Sequence, residues 1–493
     1  MMRRPALALT LAFSLVVLAA CSKDKEVDPP AELTEFTSTI RVQRAWTASV
    51  GGDDEPLRLG LGLAVEEGRV FAAGHEGEVA AFDLGTGRQL WKTRISKTRL
   101  AGGTGASANL VVVGSSDGEV IALNAADGAT RWRVKVNGEV LAAPAIAPRA
   151  VVVRTVDGKL HGLSNDDGHE IWQHEEQVPR LSLRGTSRPT VANDVALCGF
   201  DNGKVVALNA GDGGLLWETP VAPPHGKTEL ERLVDIDSAP RVSGNDVYTV
   251  GFQGRVAMLA FDTGQIWWSH DASSYRGMGI DDDAMYVSTA DGEIKALRRR
   301  SGAEIWSQNV LLHRGLSAPA VQDTTLAVAD FQGYVHWFDK ASGTLVARES
   351  SGKVRVTNAP IAVGNMVLVI NDEGRITAFR TSALGEKAPA KMRGKKVAPP
   401  ASAPGANPDT TTQPDTTAPA SPPATDPNAP PTAPTPDTSP TTPPQTTSPD
   451  GSPPLDLRVP PSTLPMPDTP SEPQPSDSST PSSTEPPQEP KRQ

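Results

Sequence analysis

Apolar and polar positions alternate along this chain in a pattern that recurs at one phase. The stretch "GEVAAFDLGTGRQLW", 77–91, predicts a strand, a glycine turn and a second strand with one buried face. Similar stretches span 118–132, 158–172, 203–217, 254–268 and 292–306, and each ends in tryptophan. A seventh copy from Gly333 has Ala347 in place of the tryptophan, and an eighth begins at Gly374. An interval of about forty residues between copies is typical of a propeller or of another repeat array.

Each unit predicts one four-stranded antiparallel sheet. A strand such as "RVFAAG" precedes the first hairpin, and an earlier strand such as "LAAPAIA", 141–147, which lies ahead of the hairpin at 158–172, would complete a sheet of four strands. Such a sheet exposes two apolar faces, and radial packing against its neighbours buries both. The tryptophan recurs at one structural phase, which favours packing between adjacent sheets over a functional contact. The sequence therefore predicts an all-β fold, an eight-bladed β-propeller over 40–385.

The eighth unit stops after Phe379, before its last strand and its tryptophan. The segment "IRVQRAWTASV", 40–50, contains Trp46 and precedes the first complete unit. We expect this N-terminal strand to complete the eighth blade and close the ring, so that no unpaired sheet edge remains there.

The two ends of the chain predict different segments. Arg3 and Arg4, a short apolar run and small residues before Cys21 are typical of a bacterial lipoprotein signal, 1–20, with Cys21 as the lipidation site and membrane anchor. An uncleaved membrane anchor is the alternative. Residues 21–39 are interpreted as a tether. Residues 386–493 are rich in proline, threonine and serine and contain no aromatic residue, which predicts a disordered tail.

Composition excludes several classes of function. The formal net charge is −11, so the basic surface of a nucleic-acid-binding protein is not expected. Cys198 is the one cysteine besides Cys21, which excludes an internal disulfide in the anchored protein and suits a small buried side chain. The histidines have no metal-ligand spacing, and no G-x-S-x-G motif occurs. We therefore expect no catalytic residues, no metal and no cofactor.

Two connections between units are longer than the others. They contain "EEQVPRLSLRGTSRP", 175–189, and "APPHGKTELERLVDIDSAP", 222–240, and both follow a tryptophan strand. Insertions at one phase of a propeller emerge on one face, and long ordered loops often carry function. Leucines flanked by charges in these loops suit a protein contact with an apolar centre and a polar rim, although they could instead be buried under the loops.

The strand-turn-strand repeat is similar to that of pyrroloquinoline-quinone dehydrogenases, which are eight-bladed propeller enzymes. Over residues 21–381 the chain more closely resembles the BamB family, the lipoprotein subunits of the outer-membrane β-barrel assembly machinery. The stretches "EFTSTIRVQRAWTASVG", "VPRLSLRGTSRP", "TELERLVDIDSAP" and "LLHRGLSAP" carry this likeness in order. The long C-terminal segment departs from the family pattern.

The second resemblance implies a non-enzymatic scaffold, anchored in the outer membrane and facing the periplasm. It implies binding to the POTRA domains of the central assembly protein, contact with other subunits of that complex, and an encounter with unfolded outer-membrane protein clients. The residues that it assigns to the POTRA interface are Leu181, Leu183, Arg184, Asp235 and Asp237. A quinone-dependent periplasmic dehydrogenase and an envelope sensor on the same propeller remain the alternatives.

Overall fold

The structure is a computed structural model that describes residues 28–51, 60–179, 181, 187–224, 227–228 and 230–384. These residues form strands and connections, and none belongs to a helix long and apolar enough to cross a membrane. The predicted signal segment with Cys21 and the predicted tail lie outside the described residues.

The strands form eight four-stranded antiparallel sheets, which are the blades of the propeller. Blade 1 contains β2 (Ala64–Glu66), β3 (Arg69–Ala73), β4 (Glu78–Asp83) and β5 (Gln89–Arg94). Blade 2 contains β6 (Gly105–Ala106), β7 (Leu110–Gly114), β8 (Glu119–Asn124) and β9 (Thr130–Lys135). Blade 3 contains β10 (Ala145–Ile146), β11 (Ala150–Arg154), β12 (Lys159–Ser164) and β13 (Glu170–Glu175). Blade 4 contains β14 (Thr190–Ala192), β15 (Val195–Gly199), β16 (Lys204–Asn209) and β17 (Leu215–Pro220).

The second half of the ring follows the same plan. Blade 5 contains β18 (Arg241–Ser243), β19 (Asp246–Val250), β20 (Arg255–Ala260) and β21 (Ile266–Asp271). Blade 6 contains β22 (Met278–Ile280), β23 (Ala284–Ser288), β24 (Ile294–Arg298) and β25 (Glu304–Gln308). Blade 7 contains β26 (Ala320–Gln322), β27 (Thr325–Ala329), β28 (Tyr334–Asp339) and β29 (Leu345–Ser350). Blade 8 contains β30 (Ile361–Val363), β31 (Met366–Ile370), β32 (Arg375–Ala383) and β1 (Ile40–Ser49).

Blade 8 joins the two ends of the ring. Strand β1 is antiparallel to β32, from the pair Ile40 and Ala383 to the pair Ser49 and Arg375. The predicted closure by the N-terminal strand is therefore confirmed, together with the all-β eight-bladed propeller. In the closed ring, the first strand of each blade lines a central channel, and the fourth strand lies at the outer rim.

Tryptophans on the fourth strands join neighbouring blades. Trp91 of β5 is buried, and its Nε1 donates a hydrogen bond to the carbonyl of Ala125 in blade 2 at 3.0 Å. Gly128 lies under the indole with φ +74°, and a Cβ there would collide with the ring. The same bond to the next blade is made by Trp46, Trp132, Trp172, Trp217, Trp268 and Trp306. The recurring tryptophan is thus a packing residue between blades.

Residues 28–39, the described part of the predicted tether, pack on blades 6 and 7. Ala31 N donates to the carbonyl of Leu312 at 2.9 Å, and Thr39 N donates to the carbonyl of Val346 at 3.0 Å. Arg314 NH1 donates to the carbonyl of Ala31 at 2.9 Å while its other guanidinium nitrogens bind buried Asp330. These contacts hold the N-terminal segment against the rim before it enters β1.

Candidate functional site

The antiparallel order of each blade decides which connections share a face. Turns between the second and third strands lie at the same end as the connections from one blade to the next, because strand direction alternates. We call this end of the propeller the loop face. Both enlarged connections, 176–189 and 221–240, join consecutive blades and therefore lie on the loop face, as expected.

The first enlarged connection leads from blade 3 to blade 4. Glu176 at its start is buried, and its Oε2 accepts hydrogen bonds from Asn202 Nδ2 at 3.0 Å and from Lys204 Nζ at 3.3 Å in blade 4. At its end, Ser187 Oγ donates to the carbonyl of Ser238 in the second enlarged connection at 3.0 Å. The connection is therefore fixed at both ends, and Leu181 between them is 44% exposed.

The second enlarged connection contains a tight turn with a capping box. Glu231 accepts hydrogen bonds from the backbone of Lys227 at 2.7 Å and of Thr228 at 3.1 Å, while Thr228 Oγ1 accepts one from Glu231 N at 3.2 Å. The backbone hydrogen bonds lower the pKa of the Glu231 carboxyl. Leu230 within this turn is 65% exposed, which makes it a prominent apolar side chain of the loop face.

The end of the second connection is anchored in the core. Leu233, Val234 and Ile236 are buried. Asp235 pairs through its backbone with Phe252, whose N–H donates to the Asp235 carbonyl at 2.7 Å. The exposed turn with Leu230 therefore stands on a base that packs into blades 4 and 5.

The five residues that the resemblance assigned to a partner interface occupy different environments. Leu181 is exposed on the loop face, whereas Leu183 and Arg184 lie outside the described residues. The side chain of Asp235 is fully buried, so it supports the loop from within. Asp237 lies deeper along the same connection, where it lines the central channel.

The surroundings of Asp237 oppose its ionisation. Burial raises its pKa to about 7, and the charge of Asp201 adds to the effect, while Arg154 and Arg276 act in the opposite direction. Asp201 is itself paired with Arg154, whose NH2 lies 3.0 Å from Asp201 Oδ1 in the blade interior. Oδ1 of Asp237 is buried and accepts no hydrogen bond from the residues that the structure describes. This carboxyl group is therefore poised to accept a donor at the channel wall.

Sequence reasoning did not find Leu230. The signal was the series Thr228-x-x-Glu231, which predicts a capped turn and so an ordered leucine between capping residues. Sequence reasoning also did not consider the connection from blade 8 to blade 1, whose described ends, 50–51 and 60–63, lie on the loop face.

The described residues do not form a metal centre, since no group of three or more His, Cys, Asp or Glu is placed to hold an ion.

Cys198 is buried in blade 4, and burial raises the pKa of its thiol to about 11, so it is a packing residue and a poor nucleophile. His336 is buried beside Asp330, with 3.1 Å between Nε2 and Oδ2, which is a structural contact within blade 7. What the loop face does offer is a contact surface with exposed leucines, Leu181 and Leu230, next to charged residues such as Glu231.

Comparisons with known proteins find relatives that carry the same description. The family model described as "Outer membrane protein assembly factor BamB" matches residues 42–98, 75–308 and 290–387. The assembly factor BamB of Pseudomonas aeruginosa is 40% identical over 372 residues, which are 76% of this chain and 98% of that protein. The BamB of Vibrio cholerae is 36% identical over 371 residues, 75% of this chain and 96% of that protein.

Solved structures agree in fold. The crystal structure of BamB from Moraxella catarrhalis matches with a TM-score of 0.63 at 27% identity, covering 69% of this chain and all of that one. The quinohemoprotein alcohol dehydrogenase from Comamonas testosteroni has a TM-score of 0.55 at 13% identity, covering 71% of this chain and 77% of that one, which shows a shared fold alone. The expectation of a non-enzymatic protein is confirmed by its close relatives, which are assembly factors. This chain belongs to the BamB family of outer membrane protein assembly factors.

Proposed function

We propose that this chain is a scaffold lipoprotein of the outer-membrane β-barrel assembly machinery. It is anchored in the outer membrane through acylated Cys21 and faces the periplasm. Its loop face binds the POTRA domains of the central assembly protein and holds them where unfolded outer-membrane clients arrive. The observation that carries this proposal is the pair of exposed leucines, Leu181 and Leu230, on two neighbouring loops with buried bases.

A scaffold needs a firm contact surface, and these loops have one. Ser187 and Ser238 join the two connections, and the Thr228–Glu231 capping box orders the turn that presents Leu230. Preordered loops lose little conformational entropy on binding, so the burial of a few apolar side chains can dominate affinity. Charged Glu231 and Arg232 border Leu230 and suit the polar rim of such an interface.

The five residues implied by the family divide into two roles under this proposal. Leu181, Leu183 and Arg184 contact the partner. Asp235 acts indirectly, since its backbone holds the second connection to Phe252 and its side chain is buried. Asp237 is available to a partner side chain that reaches into the channel mouth.

The test is recovery of the central assembly protein from mild-detergent envelopes with tagged full-length chain. Leu181→Ser combined with Leu230→Ser should lower recovery by about tenfold or more, because two apolar anchors are lost. Leu215→Ser is the matched control, since Leu215 is 53% exposed but lies on the outer strand of blade 4. Equal recovery with the double variant and wild type would refute the proposed surface, and failure to recover that partner with wild type would refute the scaffold role.

A further inference from the structure

The central channel has a charged sector on one side. The first strands of the blades enclose a cavity of about 830 Å³, whose charged lining residues are Glu66, Arg188, Asp237, Arg241 and Arg276. The three arginines belong to blades 4, 5 and 6, which are consecutive, and all lie at or before the start of a first strand. They therefore cluster toward the loop-face end of the channel, whereas Glu66 ends its strand toward the other face.

Alignment of the blades shows that two of these arginines replace small residues. One residue of each first strand pairs with the middle of the second strand, and at this position blades 1 to 8 carry Ala64, Gly105, Ala145, Thr190, Arg241, Gly279, Ala320 and Ile361. Two residues earlier they carry Gly62, Gly103, Ala143, Arg188, Ala239, Gly277, Ala318 and Ala359. The propeller repeat therefore has no structural need for a guanidinium at either position.

The same arginines lack acidic partners. Within the described ranges, no hydrogen bond or ion pair joins the guanidinium group of Arg188 or of Arg241 to another residue. Both are accessible to water but lie inside the ring, and the surrounding protein lowers the pKa of each; the charge of Arg241 lowers that of Arg188 further. Arg276 stacks on Tyr275 at 4.7 Å, and its buried Nε donates no hydrogen bond within the described part of the chain.

We infer that Arg188, Arg241 and Arg276 form an oxyanion-binding site at the loop-face end of the central channel. Guanidinium groups are suited to carboxylate and phosphate oxygens, because they donate charge-assisted hydrogen bonds in a fixed planar geometry. The first strand of each blade has a neighbour on one side only, so backbone N–H groups on its free edge add donors to the channel wall. This site lies beside the proposed partner surface and does not depend on that proposal.

A free multivalent oxyanion can supply such an anion, because its oxygens accept charge-assisted hydrogen bonds from several guanidinium groups at once.

The probe is inorganic pyrophosphate, titrated into the full-length chain by calorimetry at low salt. Arg188→Gln and Arg241→Gln should each weaken binding by about tenfold or more, since each removes a charge-assisted contact. Arg131→Gln, at an exposed position of β9, is the matched control and should bind as wild type does. If the glutamine variants do not fold, Arg188→Lys and Arg241→Lys replace them in the test. These variants keep the charge but lose the planar guanidinium group, so they should bind pyrophosphate more weakly than wild type but still bind it.

If the wild-type chain does not bind pyrophosphate, or if the variants Arg188→Gln and Arg241→Gln bind it as tightly as wild type does, the inference is overturned.

Discussion

Two kinds of contact between blades hold this ring together, and comparing them shows how the repeated tryptophan depends on the hairpin of the next blade. At the seam between blades 1 and 2, Trp91 fills the gap and donates to the carbonyl of Ala125 in the next hairpin. At the seam between blades 7 and 8, Ala347 stands at the tryptophan position and Trp337 lies opposite it on the third strand. Trp337 is fully buried, with its ring centroid 5.5 Å from that of Phe379.

The exception follows from chain topology. Blade 8 takes its third strand from one end of the propeller and its fourth from the other, so it has no hairpin between them. At the position aligned with Ala125, Thr381 pairs with Val42 of β1, so the hairpin turn that receives Trp91 at an ordinary seam is absent. The large and small residues exchange strands, which keeps the buried volume. The Nε1 of Trp337 is left without an acceptor among the described residues. Departure from the repeat here has a structural cause.

The largest effect is expected at the closure. Trp46→Ala should lower the free energy of unfolding by about 3–5 kcal/mol, because a buried indole is lost. Trp91→Ala removes the same group from an internal seam and is the matched comparison. Trp46 lies on β1, which pairs with β32 but is joined to it by no hairpin, so its loss should also open β1 locally. Hydrogen exchange should then show β1 amides exchanging before the rest of the ring in Trp46→Ala only; equal protection in both variants would contradict this.

Repetition explains why so much of this fold could be predicted from sequence. A tryptophan at one phase marks seven of the eight seams, and the tryptophan missing from the eighth unit identifies β1 as the closing strand. The candidate site was less accessible. Asp235 looked like a surface charge in a loop, yet backbone pairing with Phe252 buries it. Which loop residues turn inward depends on contacts between blades, and such contacts leave no periodic signal in the chain.

A smaller effect should separate the two kinds of seam. Trp91→Phe removes one of two donors to the carbonyl of Ala125, the other being Arg69 NH1 at 2.9 Å, so the lost hydrogen bond costs about 0.5–1.5 kcal/mol beyond the lost volume. Trp337→Phe loses a similar volume, but its Nε1 makes no hydrogen bond to the described residues, so that additional cost is absent. Urea unfolding of both variants should therefore show Trp91→Phe to be the less stable protein. Equal stabilities would mean that the hydrogen bond of Trp91 Nε1 does not stabilise its seam.

A third effect depends on pH and concerns a departure from the repeat that has no topological cause. Asp237 is a carboxyl group at the channel wall, where aligned positions in the other blades carry residues such as Gly60, Ala101 and Thr357. Its pKa is raised to about 7 from 3.8, chiefly by burial, so the folded protein holds this proton over a pH range in which the unfolded chain releases it. Stability should therefore fall as pH rises from about 4 to about 7, by up to about 1.4 kcal/mol per pH unit.

Asp237→Asn removes this titration. The difference in unfolding free energy between Asp237→Asn and wild type should therefore grow in favour of the variant across that pH range and level off above it. Asp262→Asn, at an exposed turn of blade 5, is the control and should show no such trend. A constant difference for Asp237→Asn would mean that the carboxylate is already stabilised in the ring, for example by Arg276, whose charge acts on it in that direction. A growing difference measures the stability that the fold loses by keeping an acidic group beside the channel arginines. A residue that weakens the ring at neutral pH is expected to be kept for binding.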